Sequence, residues 1–522
     1  LLHPRIDDGY LAEMEMKPVA NGLAASPGAA VGKAVFDADT AEEMGKYGEK
    51  VILVRDETNP DDVHGMLAAQ GILTARGGKT SHAAVVARGF GIPCVAGCEA
   101  IRVDAIAKQF RVGDLTVSEG DIITLDGSTG QVFAEKIPLI DPDVSGHFGI
   151  LMGWCDEFRR LRVRTNADNP RDALQAIEYG AEGIGLCRTE HMFFEADRLP
   201  IVRDMILAKS DAQRQAALQK LEVVQQGDFE GIFEVMDGKP VTIRLIDPPL
   251  HEFLPSFDEL LQTTTELRLA VNSLGGQALK EVLAEKEAML HAVEGMREAN
   301  PMLGLRGVRL SIIFPGIVVM QTRAILQAAA AVAKRGKKVL PEIMIPLVST
   351  VQELRVVQTQ LEAVAEQVVR EQGVDIPYLF GTMIEIPRAA LTANEIAERA
   401  QFFSFGTNDL TQTTFGFSRD DAEGKFLQKY VEAKILPVNP FETLDRTGVG
   451  RLMKMAVEDG RSVNSKLKLG ICGEHGGDTE SIYFCHELGL DYVSCSPFRV
   501  PIARLASAQA AIRDRVKVTL DK

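Results

Sequence analysis

The stretch Thr74-Ala75-Arg76-Gly77-Gly78-Lys79-Thr80-Ser81-His82-Ala83-Ala84-Val85-Val86-Ala87-Arg88 holds the residue with the most specific chemistry. Gly77-Gly78 supply a turn in which backbone N–H groups converge. Thr80 or Ser81 is a good helix cap, and Ala83–Arg88 is a good helix former. His82 is therefore expected in the first turn of a helix. There the positive dipole end keeps the imidazole neutral and nucleophilic, then favours a dianionic phosphoryl group. Arg76 and Arg88 offer further cationic support. An imidazole nitrogen so placed accepts a phosphoryl group covalently. Taken alone, a plain helix-capping histidine accounts for His82 about as well. The glycine pair, hydroxyl pair and histidine together favour a carrier.

A second group of polar residues sits where strands end. In Gly381-Thr382-Met383-Ile384-Glu385-Ile386-Pro387 strand alternation puts Gly381, Met383 and Glu385 on one face, and Pro387 ends the run. In Phe405-Gly406-Thr407-Asn408-Asp409-Leu410 the Gly-Thr-Asn-Asp sequence is a turn that frees adjacent polar side chains for one site. Glu385 and Asp409 are hard oxygen donors, and two carboxylates with open positions suit Mg²⁺. From spacing alone, an acid pair capping a helix or pairing with Arg388 explains them better. Of the seven cysteines, 94, 98, 155, 187, 472 and 485 read as small buried hydrophobes. Their odd number fits a reducing cytosol, and Cys94 and Cys98 lack the second pair of a zinc site.

These residues need elements to hold them. The 522 residues predict two or three domains, and 46 % hydrophobic with 25 % charged residues is ordinary globular composition. A net charge of −16 argues against nucleic acid or an anionic membrane as partner. No run reaches the ~18 apolar residues of a membrane span, because Pro315 and polar residues interrupt 311–320. The start, Leu1-Leu2-His3-Pro4, reads as that of a fragment whose natural beginning lies upstream. Residues 1–20 read as a charged linker. Residues 21–138 read as a small α/β or β-rich domain with strands at 33–36, 50–54, 71–74, 121–125 and 130–134. A linker helix covers 139–160. Over 161–522 strand-like runs at 161–165, 183–187, 241–246, 342–348, 378–386, 402–405, 467–472 and 492–495 alternate with amphipathic stretches. About eight repeats predict a (β/α)₈ TIM barrel, with chemistry at the carboxyl ends of its strands. A ninth strand candidate near 307–312 is surplus. Arg188, Arg244, Asp247, Glu385, Asn408, Asp409 and Cys495 all fall at or just after these runs.

The segment Gly77–Arg88 closely resembles the phosphohistidine signature of the enzymes that interconvert phosphoenolpyruvate and pyruvate. That family includes the pyruvate phosphate dikinases, phosphoenolpyruvate synthases and Enzyme I of the sugar phosphotransferase system. The resemblance runs over the whole chain. Leu186–Phe194, Arg244–Leu254 and Val493–Pro501 are similar to the dikinase branch, although Lys79 stands where Met is expected. It implies a swivelling phosphohistidine domain in front of the barrel and Mg²⁺ on Glu385 and Asp409. It also implies substrate contacts from Arg188, Arg244, Asp247, Met383, Gly406, Thr407, Asn408, Asp409 and Arg419. Arg306 is equally explained by a surface ion pair. Cys495 is implied as the acid–base at C3 of the pyruvate enolate, with an ordinary thiol pKa of about 8.5 suiting both directions. Thr80 is implied as a regulatory phosphorylation site, and His475 reads as structural. The resemblance further implies a cytoplasmic homodimer. In the dikinases ATP, phosphate and pyruvate are exchanged for AMP, diphosphate and phosphoenolpyruvate through an amino-terminal nucleotide-binding domain, which these residues lack. This chain is thus expected to carry the phosphoenolpyruvate/pyruvate half-reaction without using ATP. The alternatives are a synthase or an Enzyme I.

Overall fold

The computed structural model describes residues 3–520 except 59–61, 79–80, 141–145, 196 and 299. Thr80 and Lys79 therefore lie outside the described residues. The chain divides into two compact units, Leu1–Gly153 and Trp154–Lys522. The division falls within the helix Gly146–Phe158, inside the expected linker helix.

The first unit is built on an eight-stranded sheet, more extensive than the five strands read from the sequence. Its centre is parallel: Ala29–Val35, Val51–Arg55, Gly71–Thr74 and Cys94–Ala96 run side by side. Leu23–Ser26 and Ile122–Asp126 flank these antiparallel. Successive strand residues feed opposite faces, and both faces are buried. Ile52 and Val54 join a cluster with Phe36, Leu73 and Phe110, whereas Val51 and Leu53 join one with Val35, Ile72, Ala83 and Ala87. The second cluster docks the helix His82–Phe90 on the sheet. The turn before that helix depends on Gly77, whose φ is +107° and where a Cβ would press on Ser81.

Residues 1–20 are not a free linker. Arg5–Ile6 pairs antiparallel with Leu139–Ile140, and Ile6, Tyr10, Leu11 and Met16 bury against Ala29, Phe133 and Ile137. The three-stranded sheet of Arg102–Asp104, Gln109–Val112 and Leu115–Ser118 was also unread; its residues are mostly exposed, so its apolar pattern is weak.

The second unit is a closed barrel of eight parallel strands. These are β1 (Arg162–Asn166), β2 (Ile184–Arg188), β3 (Pro240–Arg244), β4 (Leu340–Ile345), β5 (Leu379–Ile384), β6 (Phe402–Phe405), β7 (Lys468–Ile471) and β8 (Tyr492–Cys495). The fold is therefore α/β: a (β/α)₈ barrel preceded by a small α/β unit. The surplus ninth strand is the helix Gly307–Ile313. Its buried positions 307, 308, 310 and 311 recur at helical spacing, and tertiary packing overrides the β propensity of Val308 and Ile312. Pro315 does not interrupt an apolar run but opens the helix Pro315–Lys334 at its first turn. That helix is long and apolar enough to cross a membrane, yet 67 % of its apolar window is buried within the unit, as in a core helix.

Which residues face the barrel interior follows from contacts between strands that are not neighbours. Arg164 on β1 reaches Glu342 on β4, 2.8 Å away, and Thr242 on β3, 3.1 Å away. Its guanidinium lies 4.0 Å over the ring of Tyr492 on β8. Lys468 on β7 also binds Glu342. With period two, the next interior layer is Leu186, Met344, Met383, Phe402 and Cys472, which form one apolar cluster. The layer above holds Arg188, Arg244 and Glu385.

Candidate functional site

Arg188 closes β2 and Arg244 closes β3, so both guanidinium groups stand at the barrel's carboxyl end. Asp247 follows β3 in a turn; its carbonyl accepts the N–H of Gly307 at 2.9 Å, while the N–H of Val308 donates to the carbonyl of Pro346 at 3.0 Å. These two bonds fix the helix start that carries Arg306. The result is a chain of ion pairs. Arg244 binds Glu190 and stands 2.9 Å from Asp247. Arg306 stands 2.6 Å from Asp247 and 3.3 Å from Asp409. Of the two readings open for Arg306, an ordinary surface pair is disfavoured, since its side chain is only 11 % exposed and joins two carboxylates of the cluster.

Glu385 comes immediately after β5 with 1 % exposure. One carboxylate oxygen accepts the N–H of Leu347 at 2.7 Å. Leu347 has φ +62°, a conformation costly for a leucine, and that local strain points its amide at Glu385. The other oxygen lies against Gly406, where any Cβ would overlap Glu385 and Met383. Gly406 is thus a cradle, and glycine is there because the carboxylate needs the space. Burial holds the Glu385 carboxyl well above its ordinary range; the charges of Asp409 and Asp247 add to this, and Arg244 and Arg306 oppose it. Asp247 is driven the other way: burial is outweighed by Arg244 and Arg306. Arg244 and Arg306 in turn stay firmly charged, because burial is outweighed first by Asp247 in each case.

Asp409 is the third residue of the helix Thr407–Phe415, on the turn after β6. Asn408 Oδ1 is buried with no hydrogen-bond partner among the described residues. Thr407 is occupied structurally: His475 Nδ1 is 2.7 Å from its hydroxyl, and His475 Nε2 is 2.9 Å from the carbonyl of Pro440. A carbonyl accepts only, so Nε2 carries the proton and the Thr407 hydroxyl donates to Nδ1. Arg419 lies outside the cluster's ion pairs. It is held by Glu474 through two bonds of 2.9 Å and by Glu423 at 3.4 Å. Arg188 is steadied by Asp168, which accepts its backbone N–H at 2.5 Å and faces His191 Nδ1 at 2.8 Å.

Cys495 ends β8, and Cys472 directly follows β7. Tyr492 and Ser494 point into the barrel: the ring lies under Arg164, and Ser494 Oγ donates to Asn166 at 2.6 Å. Period two then sends Val493 and Cys495 outward. The one charged group acting on the Cys495 thiol is Arg499, and burial pushes that thiol up to about 12. Cys472, read from sequence as a buried hydrophobe, follows Lys468 and Gly470 on the interior face of β7. Burial pushes its thiol up to about 11, and the charges acting on it include Glu385, Arg244 and Arg188. The signal available in the sequence was the alternation Lys468-Leu469-Gly470-Ile471-Cys472 running into the turn at Gly473. Neither thiol has the near-neutral pKa expected.

In the first unit His82 opens its helix and Ser81 stands at the N-cap in extended conformation, with no capping bond from its side chain. Arg88 sits in the helix's last turn, with Nε donating to the carbonyl of Ala84 at 3.1 Å. Arg76 is largely exposed beside Asp56.

Chemically the barrel cluster offers planar cationic forks beside carboxylates. Glu385 and Asp409 are hard oxygen donors, and the upward push on Glu385 from its acidic neighbours marks a place where a further cation is favoured. The donor set fits Mg²⁺ completed by substrate and water. Among the described residues no group of three or more metal-ligating side chains is gathered.

Residues 143–512 match the family model "PEP-utilising enzyme, PEP-binding domain" and residues 47–130 match "PEP-utilising enzyme, mobile domain". The chain belongs to the PEP-utilising enzymes. It is 55 % identical over 516 residues to the pyruvate, phosphate dikinase of Clostridium symbiosum, an alignment that spans 99 % of this chain and 57 % of that protein. It is likewise 55 % identical to the pyruvate, phosphate dikinase of Rhizobium meliloti (strain 1021), over 99 % of this chain and 55 % of the relative. Against pyruvate, phosphate dikinase 1, chloroplastic, of Arabidopsis thaliana the identity is 55 %, covering 98 % and 52 %. The chain thus spans little more than half the length of these curated relatives.

Proposed function

We propose that this chain carries the phosphoenolpyruvate/pyruvate half of a pyruvate phosphate dikinase reaction, with His82 as the phosphoryl carrier. The observation that carries this reading is the convergence of Arg244 and Arg306 with Asp247, Glu385 and Asp409 at the carboxyl end of a barrel whose unit matches a PEP-binding domain.

In the direction of pyruvate formation an imidazole nitrogen of His82 takes the phosphoryl group as the P–O bond to the enol oxygen breaks. Pyruvate enolate is left, and a proton goes to its C3. Arg188, Arg244 and Arg306 bind phosphate and carboxylate with paired N–H donors and stabilise the charge that moves to the enol oxygen. Glu385 and Asp409 would hold Mg²⁺, which would supply Lewis-acid stabilisation of the developing enolate charge. Asp247 keeps Arg244 and Arg306 in register. Met383 floors the pocket, and Gly406, Thr407 and Asn408 shape its rim. Cys495 donates the C3 proton, as the family resemblance implies; Cys472, whose thiol feels the charges of Glu385, Arg244 and Arg188, is the alternative donor. Arg419 closes the rim through Glu474. Thr80 next to the carrier is a site where an added phosphate would repel the incoming one.

The whole enzyme would use ATP, phosphate, AMP and diphosphate through a nucleotide-binding portion for which the relatives' greater length leaves room. It would be cytoplasmic and homodimeric. The test is to incubate the chain with Mg²⁺ and labelled phosphoenolpyruvate and to map the label. Acid-labile label at His82, lost in His82→Ala, is expected; label elsewhere, or none, ends the reading.

A further inference from the structure

One guanidinium in the barrel cluster serves two carboxylates unequally. Arg306 Nη2 is 2.6 Å from Asp247 Oδ2 but 3.3 Å from Asp409 Oδ2, and Nη1 is 3.5 Å from Asp409 Oδ1. The first is a tight charge-assisted bond, and the other two are at the long limit of hydrogen bonding. The only other side-chain contact recorded for Asp409 among the described residues is Gln412 Nε2, at 3.4 Å. Both its oxygens are therefore held loosely. Arg306 also keeps unused capacity: its Nε is buried with no hydrogen-bond partner among the described residues, and the same holds for Arg244 Nε and Asp247 Oδ1.

We propose that Arg306 is a place-holding cation, neutralising Asp409 until a divalent metal ion takes that carboxylate, and that the released guanidinium then turns its free N–H groups to the substrate's phosphate. The proposal rests on Glu385 and Asp409 being the metal ligands. Its physics is direct. Asp409 left alone would add an uncompensated carboxylate to a site that already buries Glu385 and Asp247. A dication and a guanidinium on one carboxylate repel each other, so the more weakly bonded partner leaves. Arg306 remains tethered to Asp247 by the 2.6 Å bond, so it moves a short way rather than being lost to solvent. Metal binding thus prepares a phosphate-binding fork, and by linkage phosphate binding strengthens the hold on metal.

The test uses Mn²⁺, followed by its free-ion spin-resonance signal, and phosphoenolpyruvate, in the full chain carrying His82→Ala so that no phosphoryl group is transferred. Arg306→Ala is expected to bind Mn²⁺ about tenfold more tightly than the parent and to lose most of the Mn²⁺ enhancement of phosphoenolpyruvate binding. Arg306→Lys, which keeps the charge without the fork, should fall between and guards against a misfolded alanine variant. Should both variants bind Mn²⁺ no more tightly while Asp409→Asn abolishes its binding, the exchange is wrong and the metal ligands stand. Should Asp409→Asn leave Mn²⁺ binding intact, the metal reading falls and takes this proposal with it.

Discussion

Cys472 has a thiol pushed up to about 11 by burial, so at neutral pH it holds its proton and is a donor. It shares the barrel's interior face with Met383 and Leu186 and lies within the field of Arg188, Arg244 and Glu385. Cys495 ends β8, where the charge of Arg499 acts on its thiol. Removing a proton donor that acts at C3 costs roughly 10²–10⁴-fold in rate. Exchange of pyruvate C3 protons with solvent, followed by NMR, should therefore collapse in Cys495→Ala if that thiol is the donor. Collapse in Cys472→Ala instead would move the acid–base role to Cys472. Conservative loss of a guanidinium is just as diagnostic. Arg244→Lys keeps the charge but loses the planar fork that reaches both Glu190 and Asp247, and should raise KM for phosphoenolpyruvate by about tenfold or more.

Strands and turns set the limits within which those side chains work. The turn after β6 passes so close to β5 that Gly406 has no room for a methyl group. Gly406→Ala should displace Glu385 or Met383, abolish metal-dependent phosphoryl transfer and lower thermal stability modestly, with the circular-dichroism spectrum intact. Lower in the barrel, Arg164, Lys468 and Glu342 form a buried ionic floor. Burial alone would raise the Glu342 pKa, but Arg164 and Lys468 overcome it and bring it from 4.5 to about 2. A carboxyl with a depressed folded-state pKa contributes stability that is full above its unfolded value and is lost as pH falls through the folded one. The barrel should therefore lose stability between about pH 4.5 and 2, and Glu342→Gln should flatten that limb. At neutral pH the same change leaves the buried Arg164 and the partly exposed Lys468 without their carboxylate and should cost on the order of 3–5 kcal/mol by denaturant titration.

The two units have separate cores, each built from its own strands. Leu53 is fully buried in the first unit and Ile343 in the second. Truncating a buried Leu or Ile to Ala costs about 2–5 kcal/mol. Calorimetry of the full chain should resolve two transitions, with Leu53→Ala moving one and Ile343→Ala the other. A single transition shifted by both would show that the units unfold together.

Periodicity and turn chemistry made much of this legible. Strand–helix alternation announced the barrel, and the glycine–hydroxyl–histidine run placed His82 at a helix start. The ends of the strand-like runs placed Arg188, Arg244, Glu385 and Asp409 at the barrel's carboxyl end. What alternation along one strand does not encode is which of its two faces looks inward. That parity is set by closure against non-neighbouring strands, and it separated Cys472 from Cys495. Nor does a sequence reveal partners brought from far along the chain: Arg306 needed the folded turn at Asp247 to become part of the cluster, and the 307–313 segment needed its neighbours to become a helix. Local backbone preference fixes the repeat; long-range packing decides which side chains meet.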